Sequence, residues 1–235
     1  MNSRNSLPKN RIAAFTLIEL LTVIAIIAIL MGLLFPVLSS AKNSARRQAA
    51  AVGIRNIVAA CKSYQTDYGK FPPVPAPALV GNVNTGGYYA YGDTNNGGCP
   101  VGNEQLFYVL RAMPTGPNAN HALNKRQVRY FEMGKAKEPK TPRDGFTDFG
   151  DSEGFTGTKG QLLDPWGAQY CIVLDAADAG TIDMHAFFED LKEPLRQSAA
   201  AFSMGIDGKR GAKEYRNQFR KAGSTDAPDD IVSWQ

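Results

Sequence analysis

Cysteine and histidine are both scarce, three of one and two of the other in 235 residues. Cys61, Cys99 and Cys171 form no CxxC pair, which argues against a structural zinc site. An odd count leaves at least one thiol outside any intramolecular disulfide. Two readings stay open: a Cys99–Cys171 bridge in an extracytoplasmic head, or three small buried apolar side chains. His121 and His185 sit in no metal-binding motif, HExxH included, so the histidines lend no support to enzymatic activity. A large charge of either sign is also missing. The formal charge is +4, and Arg4, Lys9 and Arg11 precede Phe15 with no acid among them. The remainder is close to neutral, which gives nucleic-acid binding no support. With 43% hydrophobic and 20% charged residues, the composition excludes global disorder.

The most informative absence is that of charge between Phe15 and Leu38. This stretch reads FTLIELLTVIAIIAILMGLLFPVL, 24 residues with Glu19 as its one charge. As a helix it extends about 36 Å, enough to cross a ~30 Å hydrocarbon core. A cleaved secretory signal fits poorly, because the run is too long and no A-x-A-like site follows it. A carboxylate inside a membrane helix is costly and usually has a partner; the alternative is that Glu19, near the helix end, simply reaches the interface. The flanking charges leave orientation open: Arg4, Lys9 and Arg11 lie before the span, Lys42, Arg46 and Arg47 after it, a tie under the positive-inside rule.

The segment Arg11-Ile12-Ala13-Ala14-Phe15-Thr16-Leu17-Ile18-Glu19-Leu20-Leu21 resembles the processing motif of type IV prepilins and type II secretion pseudopilins. The resemblance implies that a prepilin peptidase/N-methyltransferase cuts between Ala14 and Phe15 and methylates the new N-terminus. Ala14 stands where the family usually has glycine. Glu19 falls on the family's charged fifth position, where the implied partner is the α-amino group of Phe15 on a neighbouring subunit. Pro36 falls where many members place a helix-kinking proline. The orientation implied is N-terminus cytoplasmic and head periplasmic.

The helix is expected to continue. Residues 39–68 lack proline and contain only Gly53, and Ala50, Ile54, Ile57, Cys61, Tyr64 and Tyr68 recur at helical spacing. Gly69 and Pro72 supply stop signals, giving about 81 Å of helix, bent at Pro36. The expected organisation is a leader at 1–14, a transmembrane helix at 15–38, its amphipathic continuation at 39–70 and a globular head at 71–235. The fold class is α+β, pilin-like, with the long helix packed on a small antiparallel sheet carrying long loops. In the head, residues 71–102 read as loop, including Tyr88, Tyr89 and Tyr91. Asn103 caps a helix from Glu104 to Met113. Residues 126–133 alternate weakly, as a strand does, and residues 138–160 read as a long loop. Strands follow at 169–174, 181–184 and 201–206, with an inserted helix over 187–198 interrupted by Pro194.

The sequence carries a second resemblance in DPWG at Asp164–Gly167, then FSMGIDG at Phe202–Gly208, then DDIVSW ending at Trp234. Together these are similar to the C-terminal half of the major pseudopilin. In that family the loop after the last strands binds calcium. The resemblance implies Asp207, Asp229, Asp230 and the carbonyl of Met204 as ligands, and carboxylates with loop carbonyls are suitable hard-oxygen donors. Ordinary turn and capping aspartates are the alternative. A basic insert at 209–221 either opposes the ion or pairs with the aspartates in its place.

The expected function is a non-enzymatic structural subunit of a type II secretion pseudopilus. Its partners would be membrane lipid, other pseudopilin subunits in a homo-oligomeric, periplasm-spanning filament, and an inner-membrane assembly platform. The alternatives are a type IV pilin-like subunit for adhesion, motility or DNA uptake, and a membrane-anchored ligand-binding protein.

Overall fold

The computed structural model describes residues 16–72, 79–80, 87–95, 98–184, 187–188, 191, 193–208 and 230–234. The chain divides into two units, residues 1–44 and 45–235. One helix, α1 (Leu17–Tyr68), runs through the boundary.

In the second unit, α1 turns the predicted stripe inward. Ala50, Ile54, Ile57, Cys61 and Tyr64 are buried, and Tyr68 packs against them half-exposed. The helix ends at Gly69, whose φ of +71° is the left-handed turn that stops a helix without a Cβ clash. The amide of Gly69 donates to the Gln65 carbonyl at 2.7 Å. The interior glycine has a different use. A Cβ on Gly53 would lie 2.7 Å from Tyr170 Oη, so its bare backbone is the seat on which the Tyr170 ring rests.

Five strands form an antiparallel sheet: β1 (Leu79–Val80), β2 (Tyr88–Tyr91), β5 (Cys171–Asp175), β6 (Ala199–Ser203) and β7 (Ile231–Val232), in the order β1-β2-β5-β6-β7. A separate antiparallel pair joins β3 (Gly145–Phe146) to β4 (Leu162–Leu163). Strand alternation divides the sheet's side chains between two cores. Tyr91, Ile172, Leu174, Ala199 and Ala201 face α1, and the two alanines leave room for the helix. Cys171, Val173, Ala200 and Phe202 face the other way, onto Met184, Phe187, Phe188 and Leu191. The architecture is thus α+β, with a long N-terminal helix on a small antiparallel sheet.

Several elements differ from expectation. Tyr88–Tyr91 is strand rather than loop: it pairs with β5, Tyr89 opposite Leu174, and its aromatic residues outweigh the flanking glycines. Among the described residues, 126–133 form no strand. The amides of Tyr130 and Phe131 both donate to the single carbonyl of Leu110, and Phe131 packs on Phe107 and Phe146. Aromatic anchoring replaces a ladder there. Residues 181–184 make one bridge, Ile182 to Leu195, because β6 already occupies the place beside β5. The described residues between 187 and 198 are not helical; they lay Phe187, Phe188 and Leu191 over the sheet instead. The span 138–160 contains β3 and a 3-10 turn at Asp151–Glu153. The predicted short helix is α2 (Glu104–Leu110).

Buried amides hold the long connections. Asn103 occupies the position before α2 but makes no cap bond. Its Nδ2 donates to the carbonyls of Leu162 (2.8 Å) and Tyr170 (3.1 Å), and its Oδ1 accepts from the Leu162 amide. Asn124 donates to the Val109 and Val128 carbonyls. Irregular backbone is tolerated inside a protein when its polar groups find such partners.

Candidate functional site

The first unit has no buried large hydrophobic side chain among its described residues. Leu17, Ile18, Leu20, Leu21, Ile24, Ile27, Leu30, Leu33, Phe35 and Leu38 are all exposed. An apolar surface of this extent is unstable in water and points to lipid or protein neighbours. By length and composition the helix is able to cross a membrane.

Polar chemistry in this unit gathers at the start of α1. Glu19 Oε2 accepts from the Thr16 amide at 2.8 Å and from Thr16 Oγ1 at 2.7 Å, and the Glu19 amide donates back to Thr16 Oγ1 at 3.3 Å. This is a reciprocal capping box, Thr16-x-x-Glu19, which satisfies amide groups that the first helical turn leaves without partners. Thr22 Oγ1 donates to the Glu19 carbonyl. A Thr-x-x-Glu spacing before an apolar run is a legible cap signal, and assigning Glu19 to subunit pairing alone passes it over. Ala14 and Phe15 lie outside the described residues. Pro36 lies within α1, whose helical backbone continues past it.

The second constellation lies in the head. Asp164 is fully buried. Its Oδ1 accepts from three successive amides, Trp166 (2.9 Å), Gly167 (2.8 Å) and Ala168 (2.9 Å). Its Oδ2 accepts from Ser203 Oγ at 2.6 Å, and Ser203 Oγ accepts in turn from the Gly205 amide. The DPWG and FSMG segments therefore meet through one carboxylate–hydroxyl bond. Burial raises the pKa of this carboxyl, opposed by the Ser203 and backbone hydrogen bonds. DDIVSW also joins the same unit: β7 pairs with β6, Phe202 opposite Val232 and Ser203 opposite Ile231.

Of the implied calcium ligands, Met204 and Asp230 are buried and Asp207 is exposed. Asp229 and the basic insert fall outside the described residues. Among the described residues no group of three or more His, Cys, Asp or Glu side chains is placed to hold a metal.

The sequence contains GxSxG, at Gly150-Asp151-Ser152-Glu153-Gly154. A nucleophile elbow requires a strand–turn–helix around its serine. Here the serine lies on a three-residue 3-10 turn at the exposed surface. Its neighbours are engaged elsewhere, Asp151 with Lys159 and Glu153 with Lys135.

Comparison with known families matches residues 9–35 to the prokaryotic N-terminal methylation motif. That match supports a type IV prepilin-like subunit, since the motif is the substrate signal of prepilin peptidase and its bearers assemble into filaments. Neither the curated proteins nor the solved structures yield a significant match.

Proposed function

We propose that this chain is a structural subunit of a type II secretion pseudopilus. It enters the inner membrane with its N-terminus cytoplasmic and its head periplasmic. It is cut before Phe15, methylated there, and drawn into a filament that drives protein export, with Pro36 bending α1. The observation that carries the reading is the methylation motif at 9–35 leading directly into an exposed apolar helix. DPWG, FSMGIDG and DDIVSW favour secretion over adhesion, motility or DNA uptake. Their contacts with one another support treating them as one unit rather than three chance matches.

The mature chain is expected to begin at N-methylated Phe15. Intact mass of the membrane-extracted protein, with sequencing of its N-terminal peptide, measures this. An assembled form that retains residues 1–14 overturns the processing.

The same reading has Asp207, Asp229, Asp230 and the Met204 carbonyl hold one Ca²⁺. The cation would relieve repulsion among the carboxylates, and binding to the folded state alone adds stability by mass action. Excess calcium is expected to raise the Tm of the detergent-extracted chain and chelator to lower it. Asp229→Ala should erase the difference. A melt indifferent to calcium but lowered by salt assigns the aspartates to the basic insert instead.

A further inference from the structure

The three cysteines are buried thiols, but they do not share one environment. Cys61 faces the core between α1 and the sheet, with Ile172 and Leu174. Cys171 points to the opposite face of β5, together with Cys99. A strand separates Cys61 from Cys171, and no rotamer crosses it.

Cys99 and Cys171 meet at Gly92. In the antiparallel register Tyr91 lies opposite Ile172, so the next residue, Gly92, comes beside Cys171. A Cβ on Gly92 would fall 2.7 Å from Cys171 Sγ and 3.0 Å from Cys99 Sγ. The two sulfurs therefore lie within about 6 Å of each other, and a disulfide brings such a pair to ~2 Å. The backbone around them is pinned. The Gly92 amide donates to the Val101 carbonyl at 2.9 Å and the Cys99 amide to the Asp93 carbonyl at 3.1 Å. Gly92 has a φ of +150°, a conformation that favours glycine. The missing side chain at Gly92 is what lets both sulfurs occupy one place.

We propose that Cys99 and Cys171 form a structural disulfide, made by thiol–disulfide exchange with a disulfide oxidant, that fastens the chain at Cys99 to the central strand. The proposal rests on the reading that the head is extracytoplasmic. The Cys99 thiolate attacks one sulfur of the oxidant's disulfide, breaking that bond and releasing one thiolate. The Cys171 thiolate then attacks Cys99 Sγ, forming the new S–S bond and releasing the second. Two electrons pass to the oxidant, which leaves as two thiols, taking up the two protons the cysteines lost. Both cysteines are buried in the folded head, so exchange takes place before folding is complete. Cys61 stays out: burial pushes its thiol up to about 12, so little thiolate forms.

Two experiments test this on the full chain. In the first, thiols are trapped with a maleimide as cells are lysed in denaturant, and counted by mass. One reactive thiol per chain is expected, rising to three after reduction. Cys61→Ser should leave none before reduction, whereas Cys99→Ser and Cys171→Ser should each leave two. Trapping in denaturant makes the count independent of whether a variant folds. Three thiols in the unreduced wild type, with no bridge formed in the second experiment either, overturn the proposal. In the second, the purified reduced chain is refolded in detergent with oxidised glutathione and its peptides are mapped. A Cys99–Cys171 peptide is expected; pairing through Cys61, or no pairing, overturns the geometry. A bridge formed in glutathione but absent from cells places the fault in the extracytoplasmic reading rather than in the pair.

Discussion

Replacing Asp164 with alanine is expected to destabilise the head by about 3–5 kcal/mol, because the substitution leaves several buried donors without an acceptor at ~1–3 kcal/mol each. Three amides and one hydroxyl converge on this carboxylate, and their effects are not additive. At roughly 2–4 °C per kcal/mol for a domain of this size, the Tm of the detergent-extracted chain should fall by roughly 10 °C. Asparagine is expected to be far milder. It keeps the Oδ1 acceptor for the three amides, and its Nδ2 donates to Ser203 Oγ. The pH dependence follows from the raised carboxyl pKa. A group whose folded pKa lies above its unfolded value contributes fully at pH below the unfolded pKa. That contribution is lost as pH rises through the folded pKa. The advantage of wild type over Asp164→Asn should therefore be greatest in acid and shrink towards neutrality. An alanine variant that melts with wild type removes Asp164 from the structural role. A gap that widens with pH shows the hydrogen bonds outweighing burial.

What the sequence makes legible is what depends on near neighbours in the chain. The helix through Tyr68, its inward stripe and its stop at Gly69 follow from spacing and one glycine. The stretch of α1 long and apolar enough to cross a membrane follows from a run of apolar residues. Strand β5 is legible because every residue in it is buried, and β6 is read two residues late because its alanines are equally at home in a helix. The misreadings arise where distant residues decide. Tyr88–Tyr91 becomes a strand because β5, some eighty residues on, offers it a ladder. Residues 126–133 lose theirs because Asn124, Phe107 and Phe146 hold them first. The same limit applies to the sites. The Thr16–Glu19 cap is local and is written in the sequence. That Asp164 binds Ser203, or that Gly92 makes room for two sulfurs, depends on a fold that brings separate segments together.

Glu19→Leu is expected to insert into the membrane normally and yet fail to enter a filament. Leucine favours the hydrocarbon core, whereas an ionised side chain opposes insertion. Loss of membrane insertion is therefore not the expected defect. Two others remain, and they are separable. The carboxylate caps its own helix through Thr16. In the proposed assembly it also pairs with the amine of Phe15 on a neighbouring subunit. Glu19→Gln keeps an oxygen acceptor for the Thr16 amide but carries no charge. If charge pairing drives entry, both variants should yield at least tenfold less crosslinked oligomer in isolated membranes, equivalent to ~1.4 kcal/mol or more. If the cap alone matters, glutamine should restore what leucine loses. A retained leader blocks the pairing at its source, since no free amine then stands beside Thr16. Crosslinking is therefore read on chains whose mature mass has been measured. Wild-type oligomer from mature Glu19→Gln would reject the pairing role and leave Glu19 as the cap of its own helix.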